Sequence, residues 1–137
     1  MLIEKAREIM LLAHQNQVDK AGVPYWHHPE AVAEFCHTEK EKIVALLHDV
    51  LEDSTFEIKD IAGIFSDDIV EAVTLLTHDA DVDYMDYIKE IKKNSLARAV
   101  KISDLRQNIS LNRLDHLTLE DAQRAEKYAR ALIFLLS

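Results

Sequence analysis

Glycine and proline are scarce in this sequence. Only 2 of its 137 residues are glycine and 2 are proline, against about 16 expected from a combined average usage of roughly 12%. Because these residues mark the tight turns that connect strands, their shortage favours an all-α fold. It also excludes the glycine-rich loops that hold phosphates, since neither a dinucleotide fingerprint nor a P-loop can be built from Gly22 and Gly63 alone.

Cysteine and basic residues are also few. The single Cys36 can form no internal disulfide, and its apolar neighbours predict a buried core residue without a catalytic role. The chain has 16 Lys and Arg against 25 Asp and Glu, a formal net charge of −9, and such a surface repels nucleic-acid polymers and anionic membranes. No segment is apolar enough for a signal peptide or a membrane span, so a cytoplasmic protein is predicted.

Hydrophobic residues make up 48% of the chain and charged residues 30%, which is typical of a soluble globular protein. The length predicts one domain over residues 1–137. Apolar residues recur at helical spacing along the chain, and no alternating strand pattern competes with them. These features predict a single-domain all-α bundle of seven or eight helices. Residues 41 to 53 are expected to form its central helix, and Ser54 to Glu57 resemble a capping box.

Four ionisable side chains interrupt the apolar segment LLHDVLED at residues 46 to 53. On a helix, His48 and Glu52 are one turn apart, and so are Asp49 and Asp53, so all four gather on one side. Three carboxylates at the edge of an apolar helix raise one another's pKa and are costly to desolvate unless a cation neutralises them. The pattern therefore predicts a bound metal ion, although an isolated His-Asp pair is more often a solvated face or a core histidine.

Two other segments offer further ligands. His27 and His28 stand immediately before Pro29, which suits the start of a helix. Asp104 and Asn108 lie four residues apart on another apolar-patterned helix, with Lys101 one turn before Asp104. Three separate segments therefore each present a side chain that can bind a metal ion.

Taken in order, these motifs resemble the HD-domain metal-dependent phosphohydrolases, and within them the hydrolase domain of the RelA/SpoT-type alarmone enzymes. The resemblance covers nearly the whole chain and is closest to the small single-domain subclass. It is carried by Ala13-His14, Gln17, Lys20, Gly22, Pro24-Tyr25, His28-Pro29, LLHDVLED at 46 to 53, Leu76-Thr77, VKISDLRQN at 100 to 108, Arg113-Leu114 and Lys127-Tyr128.

The resemblance implies a metal site and its chemistry. The implied metal ligands are His28, His48, Asp49 and Asp104. Two imidazoles and two carboxylates without a thiolate suit Mn²⁺, while Fe²⁺, Co²⁺ and Zn²⁺ also accept these ligand types. The implied catalytic residues are the acidic pair Glu52 and Asp53, which would orient or deprotonate the attacking water. By the same resemblance, His27 stays outside the ligand set.

The resemblance also implies substrate contacts. Lys20 and Lys101 would offer charge to phosphates, and Asn108 would hydrogen-bond ribose or phosphate. The alternative is that they are solvated charges and a helix-end polar group. Asp19 stands where the long alarmone enzymes carry an arginine able to stack on guanine, and Ser110-Leu111 stand where those enzymes carry Arg-Thr.

The function that the resemblance implies is hydrolysis of a small-molecule nucleotide. The substrate would be guanosine tetra- or pentaphosphate, (p)ppGpp, cleaved by a metal-dependent 3′-pyrophosphohydrolase to GDP or GTP and pyrophosphate. The departures at Asp19 and Ser110-Leu111 allow another nucleotide or phosphoester as substrate. A catalytically silent nucleotide-sensing or interaction domain is the third interpretation, which loss of a ligand or of the acidic pair would favour. The sequence leaves the oligomeric state open.

Overall fold

The computed structural model describes residues 1–109 and 117–137, which form nine α-helices and no β-strand. The helices are α1 (Leu2–Ala13), α2 (His27–Glu34), α3 (Glu39–Leu47), α4 (Val50–Asp53), α5 (Ile58–Ala62), α6 (Asp67–Leu76), α7 (Tyr84–Lys92), α8 (Ser95–Ile109) and α9 (Leu119–Leu136). The all-α fold is therefore as predicted, with one helix more than expected. The motif positions Ser110-Leu111 and Arg113-Leu114 lie outside the described residues.

Polar side chains begin several of these helices. Asp83 accepts hydrogen bonds from the first backbone N–H groups of α7, and Thr118 forms a capping box with the third residue of α9. The prediction of a capping box at Ser54 was wrong, because the box begins one turn later. Glu57 and Asp60 form it at the start of α5, while the Ser54 hydroxyl donates back to a carbonyl of α4.

The central helix predicted over residues 41 to 53 is broken in the structure after Leu47. His48 and Asp49 form a turn between α3 and α4. The His48 imidazole Nδ1 lies 2.5 Å from the carbonyl oxygen of Ala45, which in a continuous helix would accept from the N–H of Asp49. A side chain thus takes the place of a helical hydrogen bond, which the apolar pattern of the segment could not indicate.

The helix α3 nevertheless lies at the centre of the core. Its last five residues, 43 to 47, are at most 2% exposed, and it packs against α1, α2, α6 and α8. Cys36 is buried and unpaired, as predicted. In the described part of the chain, no helix combines the length and apolar character needed to cross a membrane. The packing of α2 and α8 against α3 brings the carboxyl end of α3 close to both neighbours.

Candidate metal centre

Three of the predicted ligands meet at this end of α3. His28 lies in the first turn of α2, His48 directly follows α3, and Asp104 lies within α8. One ligand atom from each residue lies within 4.8 Å of the others. Asp104 Oδ1 is 2.7 Å from His28 Nε2 and 3.4 Å from His48 Nε2. Helix packing therefore assembles a His-His-Asp cluster from segments that are far apart in the sequence.

Asp49, the fourth predicted ligand, adjoins this cluster. Its Oδ2 lies 3.2 Å from His48 Nε2 and accepts a hydrogen bond from the Tyr25 hydroxyl. Asp49 also belongs to a second group of carboxylates, since its oxygen lies within 4.8 Å of one oxygen each of Glu52 and Asp53. The residue thus joins the buried cluster to the predicted catalytic pair.

The hydrogen bonds of His48 test whether a metal ion fits here. A carbonyl oxygen can only accept, so the close contact with Ala45 places the proton of the neutral imidazole on Nδ1. Nε2 then presents a lone pair toward two carboxylates, and it is buried without a hydrogen bond to any residue that the structure describes. Facing lone pairs repel unless a metal ion or a proton on Nε2 lies among them. Two imidazole nitrogens and two carboxylates are a donor set suited to a divalent transition metal.

The electrostatics of the cluster favour a positive charge at the same place. Burial alone would lower the pKa of His48, but Asp49 and Asp104 outweigh it and raise the pKa well above its usual range. Burial also opposes the ionisation of Asp104, yet Lys101 and His48 hold the pKa of that carboxyl well below its ordinary value. For Asp49, the charge of His48 overcomes burial and lowers the pKa to about 2. Both carboxylates are therefore ionised at neutral pH.

Two of the predicted substrate contacts are bonded to Asp104. Lys101 Nζ lies 2.8 Å from Oδ2, and Asn108 Nδ2 donates to Oδ1 at 2.8 Å. They stand about one turn before and after Asp104 on α8. The Lys101 ammonium also lies 5.3 Å from the centre of the Tyr87 ring, and its side chain is only 12% exposed. These bonds fix the carboxylate of Asp104, as outer partners of metal ligands commonly do.

The third predicted substrate contact, Lys20, lies farther out. Its ammonium pairs with the buried carboxylate of Asp121, and half of its side chain is exposed. The neighbouring Asp19 accepts hydrogen bonds from the N–H groups of Ala21 and Val23, at 2.8 and 3.0 Å. Asp19 thus closes its own loop, and Lys20 connects that loop to the first turn of α9.

The predicted catalytic residues Glu52 and Asp53 are exposed on the four-residue helix α4. Glu52 Oε1 accepts from the backbone N–H of His78 at 2.7 Å. The backbone carbonyl of Asp53 accepts from Gln17 Nε2 at 2.9 Å. Partial burial of its carboxyl group, together with the negative charges of Asp49 and Glu52, raises the pKa of Asp53 to about 6, although the residue as a whole is exposed.

For some residues around the site, the sequence predicted no role. The Tyr25 hydroxyl donates a hydrogen bond to Asp49, and the Tyr25 ring lies between His14 and His28, with ring centroids 4.9 and 5.8 Å away. The buried His14 holds Gln17 through a contact of 2.9 Å between Nδ1 and Oε1. The signal for these three residues was available, since Tyr25, His14 and Gln17 all stand in the ordered motif.

Two other histidines lie near the site, and the sequence made a prediction for only one of them. His27 was expected outside the ligand set, and its ring stacks on Trp26 with centroids 3.9 Å apart. His78, whose backbone N–H donates to Glu52, directly follows Leu76-Thr77 of the ordered motif, but the motif assigned no role to His78 itself. Its contact with Glu52 spans 26 residues, so only the folded chain reveals it.

No protein-family model matches the chain. Among curated proteins, it is similar to the guanosine-3′,5′-bis(diphosphate) 3′-pyrophosphohydrolase of Borreliella burgdorferi, with 39% identity over 79 residues, which are 55% of this chain and 12% of that protein. It is also similar to the bifunctional (p)ppGpp synthase/hydrolase SpoT of Escherichia coli, with 35% identity over 80 residues, which are 52% of this chain and 11% of that protein. The matched segment is thus a small part of these relatives.

A solved structure matches over more of the chain. It is described as a metazoan ortholog of SpoT that hydrolyzes ppGpp and plays a role in starvation responses. The TM-score is 0.77 at 20% identity, and the match covers 98% of this chain and 85% of that one. This similarity confirms the predicted fold. Together with the curated relatives, it confirms the resemblance to RelA/SpoT-type hydrolases that the motifs indicated.

Proposed function

We propose that this chain is a metal-dependent guanosine polyphosphate 3′-pyrophosphohydrolase, which cleaves (p)ppGpp to GDP or GTP and pyrophosphate. The observation that carries the proposal is the convergence of His28, His48 and Asp104 within 4.8 Å. This cluster lies in a fold similar to that of a ppGpp-hydrolysing protein. The chain also matches part of proteins named for (p)ppGpp hydrolysis.

The proposed ligands are His28, His48, Asp49 and Asp104, and the proposed ion is Mn²⁺. Nitrogen and oxygen donors without sulfur suit Mn²⁺, and Fe²⁺, Co²⁺ or Zn²⁺ can use the same donors. When bound, such an ion lowers the pKa of a coordinated water and polarises a phosphoryl oxygen. The chain supports this centre by holding the ligand carboxylates from outside, Asp49 through Tyr25 and Asp104 through Lys101 and Asn108.

Glu52 and Asp53 are the proposed catalytic residues, which orient or deprotonate the attacking water. Their position supports this role, because a carboxylate oxygen of each lies within 4.8 Å of an oxygen of Asp49. The amide of His78 occupies Oε1 of Glu52, which leaves Oε2 to accept a hydrogen bond from water. A charged acceptor with one oxygen fixed and one available is suited to general-base catalysis.

Lys20, Lys101 and Asn108 are the proposed substrate contacts. Lys20 is the most accessible of them. Its ammonium can exchange the ion pair with Asp121 for one with a phosphate group of the substrate. Lys101 and Asn108 would serve both the substrate and the carboxylate of Asp104, to which they are bonded. Positive charge next to the ligand cluster favours a phosphorylated substrate over a neutral one.

One observation favours a second candidate substrate class, another nucleotide or phosphoester. Asp19 uses its carboxylate within its own loop and offers no planar cation to stack on guanine, unlike an arginine at this position. The metal site and the acidic pair would be the same in this case. The two candidates differ only in whether the base is recognised.

A nucleotide panel separates these candidates. The purified protein is incubated with Mn²⁺ and ppGpp, pppGpp, the adenosine analogue of ppGpp, GTP or ATP, while pyrophosphate and orthophosphate are measured separately. We expect metal-dependent release of pyrophosphate from the two guanosine substrates, and none with the Asp104→Ala variant. Equal cleavage of the adenosine analogue would establish the second candidate. Absence of hydrolysis from every compound would contradict both.

A further inference from the structure

We infer that His78 is a positioning residue for the Glu52 carboxylate. The loop between α6 and α7, residues 77 to 83, is built around the His78 imidazole, and the backbone N–H of the same residue holds Glu52. This inference rests on the catalytic role proposed above for Glu52. It assigns a function to a histidine that binds neither metal nor substrate in that proposal.

The first contact is the hydrogen bond from the His78 backbone N–H to Glu52 Oε1, at 2.7 Å. Glu52 is exposed on α4, a helix of only four residues. An exposed glutamate retains much of its rotamer freedom, so it needs an outside partner to hold one orientation. A hydrogen bond from a backbone amide to a carboxylate is charge-assisted and therefore among the stronger ones.

The second contact fixes the loop that supplies this amide. His78 Nε2 lies 2.7 Å from the carbonyl oxygen of Val82, and because a carbonyl only accepts, Nε2 carries a proton. Within the same loop, the Val82 N–H donates to the Asp79 carbonyl at 3.0 Å, and the Asp81 N–H donates to Asp79 Oδ1 at 2.9 Å. The imidazole therefore joins the two ends of a closed turn.

The third contact anchors the imidazole to the core. Its ring lies against Tyr87, with centroids 4.6 Å apart. Tyr87 is 7% exposed, and its hydroxyl donates to the carbonyl oxygen of Leu76 at the end of α6. The position of the His78 backbone is thus set by buried groups of α6 and α7. The hydrogen bond from the His78 backbone N–H therefore holds the exposed Glu52 carboxylate of α4 in one orientation.

Removal of the imidazole keeps the backbone N–H of residue 78 but removes the side-chain contacts that hold the loop, so this N–H is no longer fixed toward Glu52. We expect His78→Ala to lower kcat by about 10-fold, because a small misplacement of a catalytic group costs rate and not binding. The KM and the metal content should stay as in the wild type. His78→Gln should restore most of the activity, since its side-chain amide can donate to the Val82 carbonyl.

A double-mutant cycle tests whether His78 acts through Glu52. The kcat for ppGpp with Mn²⁺ is compared for the wild type, His78→Ala, Glu52→Ala and the double variant. We expect His78→Ala to have no further effect in the Glu52→Ala background. The same loss in both backgrounds would overturn the inference. The matched control is Thr74→Val, which removes a side-chain hydrogen bond of α6 and should leave kcat unchanged in both.

A measurement without substrate separates this inference from the proposed function. In ¹H–¹⁵N NMR spectra, the His78 amide proton should move upfield in Glu52→Ala and stay in place in Thr74→Val, because only the first change removes its acceptor. An unmoved His78 amide overturns the inference whatever the activity. If this amide does move but the wild type releases no pyrophosphate from ppGpp, the contact stands and the proposed function fails.

Discussion

Two neighbouring groups of side chains at the candidate site are held in different ways: the proposed metal-ligand cluster of His28, His48 and Asp104, and the acidic pair of Glu52 and Asp53. His48 and Asp104 are 2% and 4% exposed. His48 directly follows α3 and Asp104 lies within α8, and these two helices pack against each other in the core. Glu52 and Asp53 are exposed on a single helical turn. Helix packing therefore determines the geometry of the cluster. In the pair, the α6–α7 loop holds the Glu52 carboxylate through one hydrogen bond, and Gln17 holds only the backbone of Asp53.

This difference predicts different consequences of substitution. In the buried cluster, the loss of one charge leaves its partners desolvated and uncompensated. In the exposed pair, water can replace a lost contact, so the fold tolerates the change. Substitutions in the first region should therefore affect metal binding and stability together, and those in the second should affect turnover alone.

The largest effect is expected for Asp104→Ala. It removes a proposed ligand and leaves the buried Lys101 ammonium without its partner, so we expect loss of bound Mn²⁺, loss of hydrolysis and about 3–5 kcal/mol lower stability. Metal content after dialysis against a chelator and the free energy of unfolding in urea check this. The control is Asp68→Ala, which breaks an exposed pair with Lys40. Wild-type metal content in Asp104→Ala would remove Asp104 from the ligand set.

The next effect is expected for the combined change Glu52→Gln and Asp53→Asn. Both substitutions keep the side-chain shape but remove the charge that general-base catalysis requires. We expect kcat to fall by about 10²–10⁴ while the metal is retained. Single-turnover hydrolysis is measured beside metal content. A variant that has lost its metal, or one that is fully active, would refute the division between ligands and catalytic residues.

A smaller effect is expected for Tyr25→Phe. The substitution keeps the ring between His14 and His28 but removes the hydroxyl that donates to Asp49. Outer partners of ligands commonly contribute about 10- to 100-fold to metal affinity, so Mn²⁺ affinity should fall by that factor. Competition with a fluorescent chelator measures it. At saturating Mn²⁺ the kcat should return to the wild-type value; a persistent defect there would indicate that Tyr25 also acts on the substrate.

The smallest effect is expected for Lys20→Ala. The ammonium is half exposed and therefore screened by solvent, so its loss should cost about 1 kcal/mol of binding, or about fivefold in KM, with kcat unchanged. Lys40→Ala, which also removes an exposed lysine paired with an aspartate, is the control. A fall in kcat without a change in KM would contradict a role for Lys20 in ground-state binding.

The sequence predicted the buried region better than the exposed one. The all-α fold and the burial of residues 43 to 47 follow from apolar spacing, which depends only on local pattern. The break after Leu47 could not be predicted, because it depends on the His48 side chain bonding the Ala45 carbonyl. The shift of the capping box to Glu57 is likewise a choice between two local alternatives that the sequence does not decide.

The motifs predicted which residues gather at the site but not what each one contacts. The prediction brought His28, His48 and Asp104 together by resemblance, and the structure places their ligand atoms close to one another. The bonds of Lys101 and Asn108 to Asp104 depend on rotamers within α8. The amide of His78 reaches Glu52 only because α4 and the α6–α7 loop meet in the fold. Such long-range contacts leave no local pattern.

The division between ligands and catalytic residues is tested most directly by anomalous diffraction at the manganese edge from crystals grown with Mn²⁺. The account predicts one strong peak within bonding distance of His28, His48, Asp49 and Asp104, at about 2.0–2.3 Å from their nitrogen and oxygen atoms. Glu52 and Asp53 should lie outside that bonding distance. A peak bonded to Glu52 and Asp53 but not to His28 and His48, or no peak at the cluster, would contradict it.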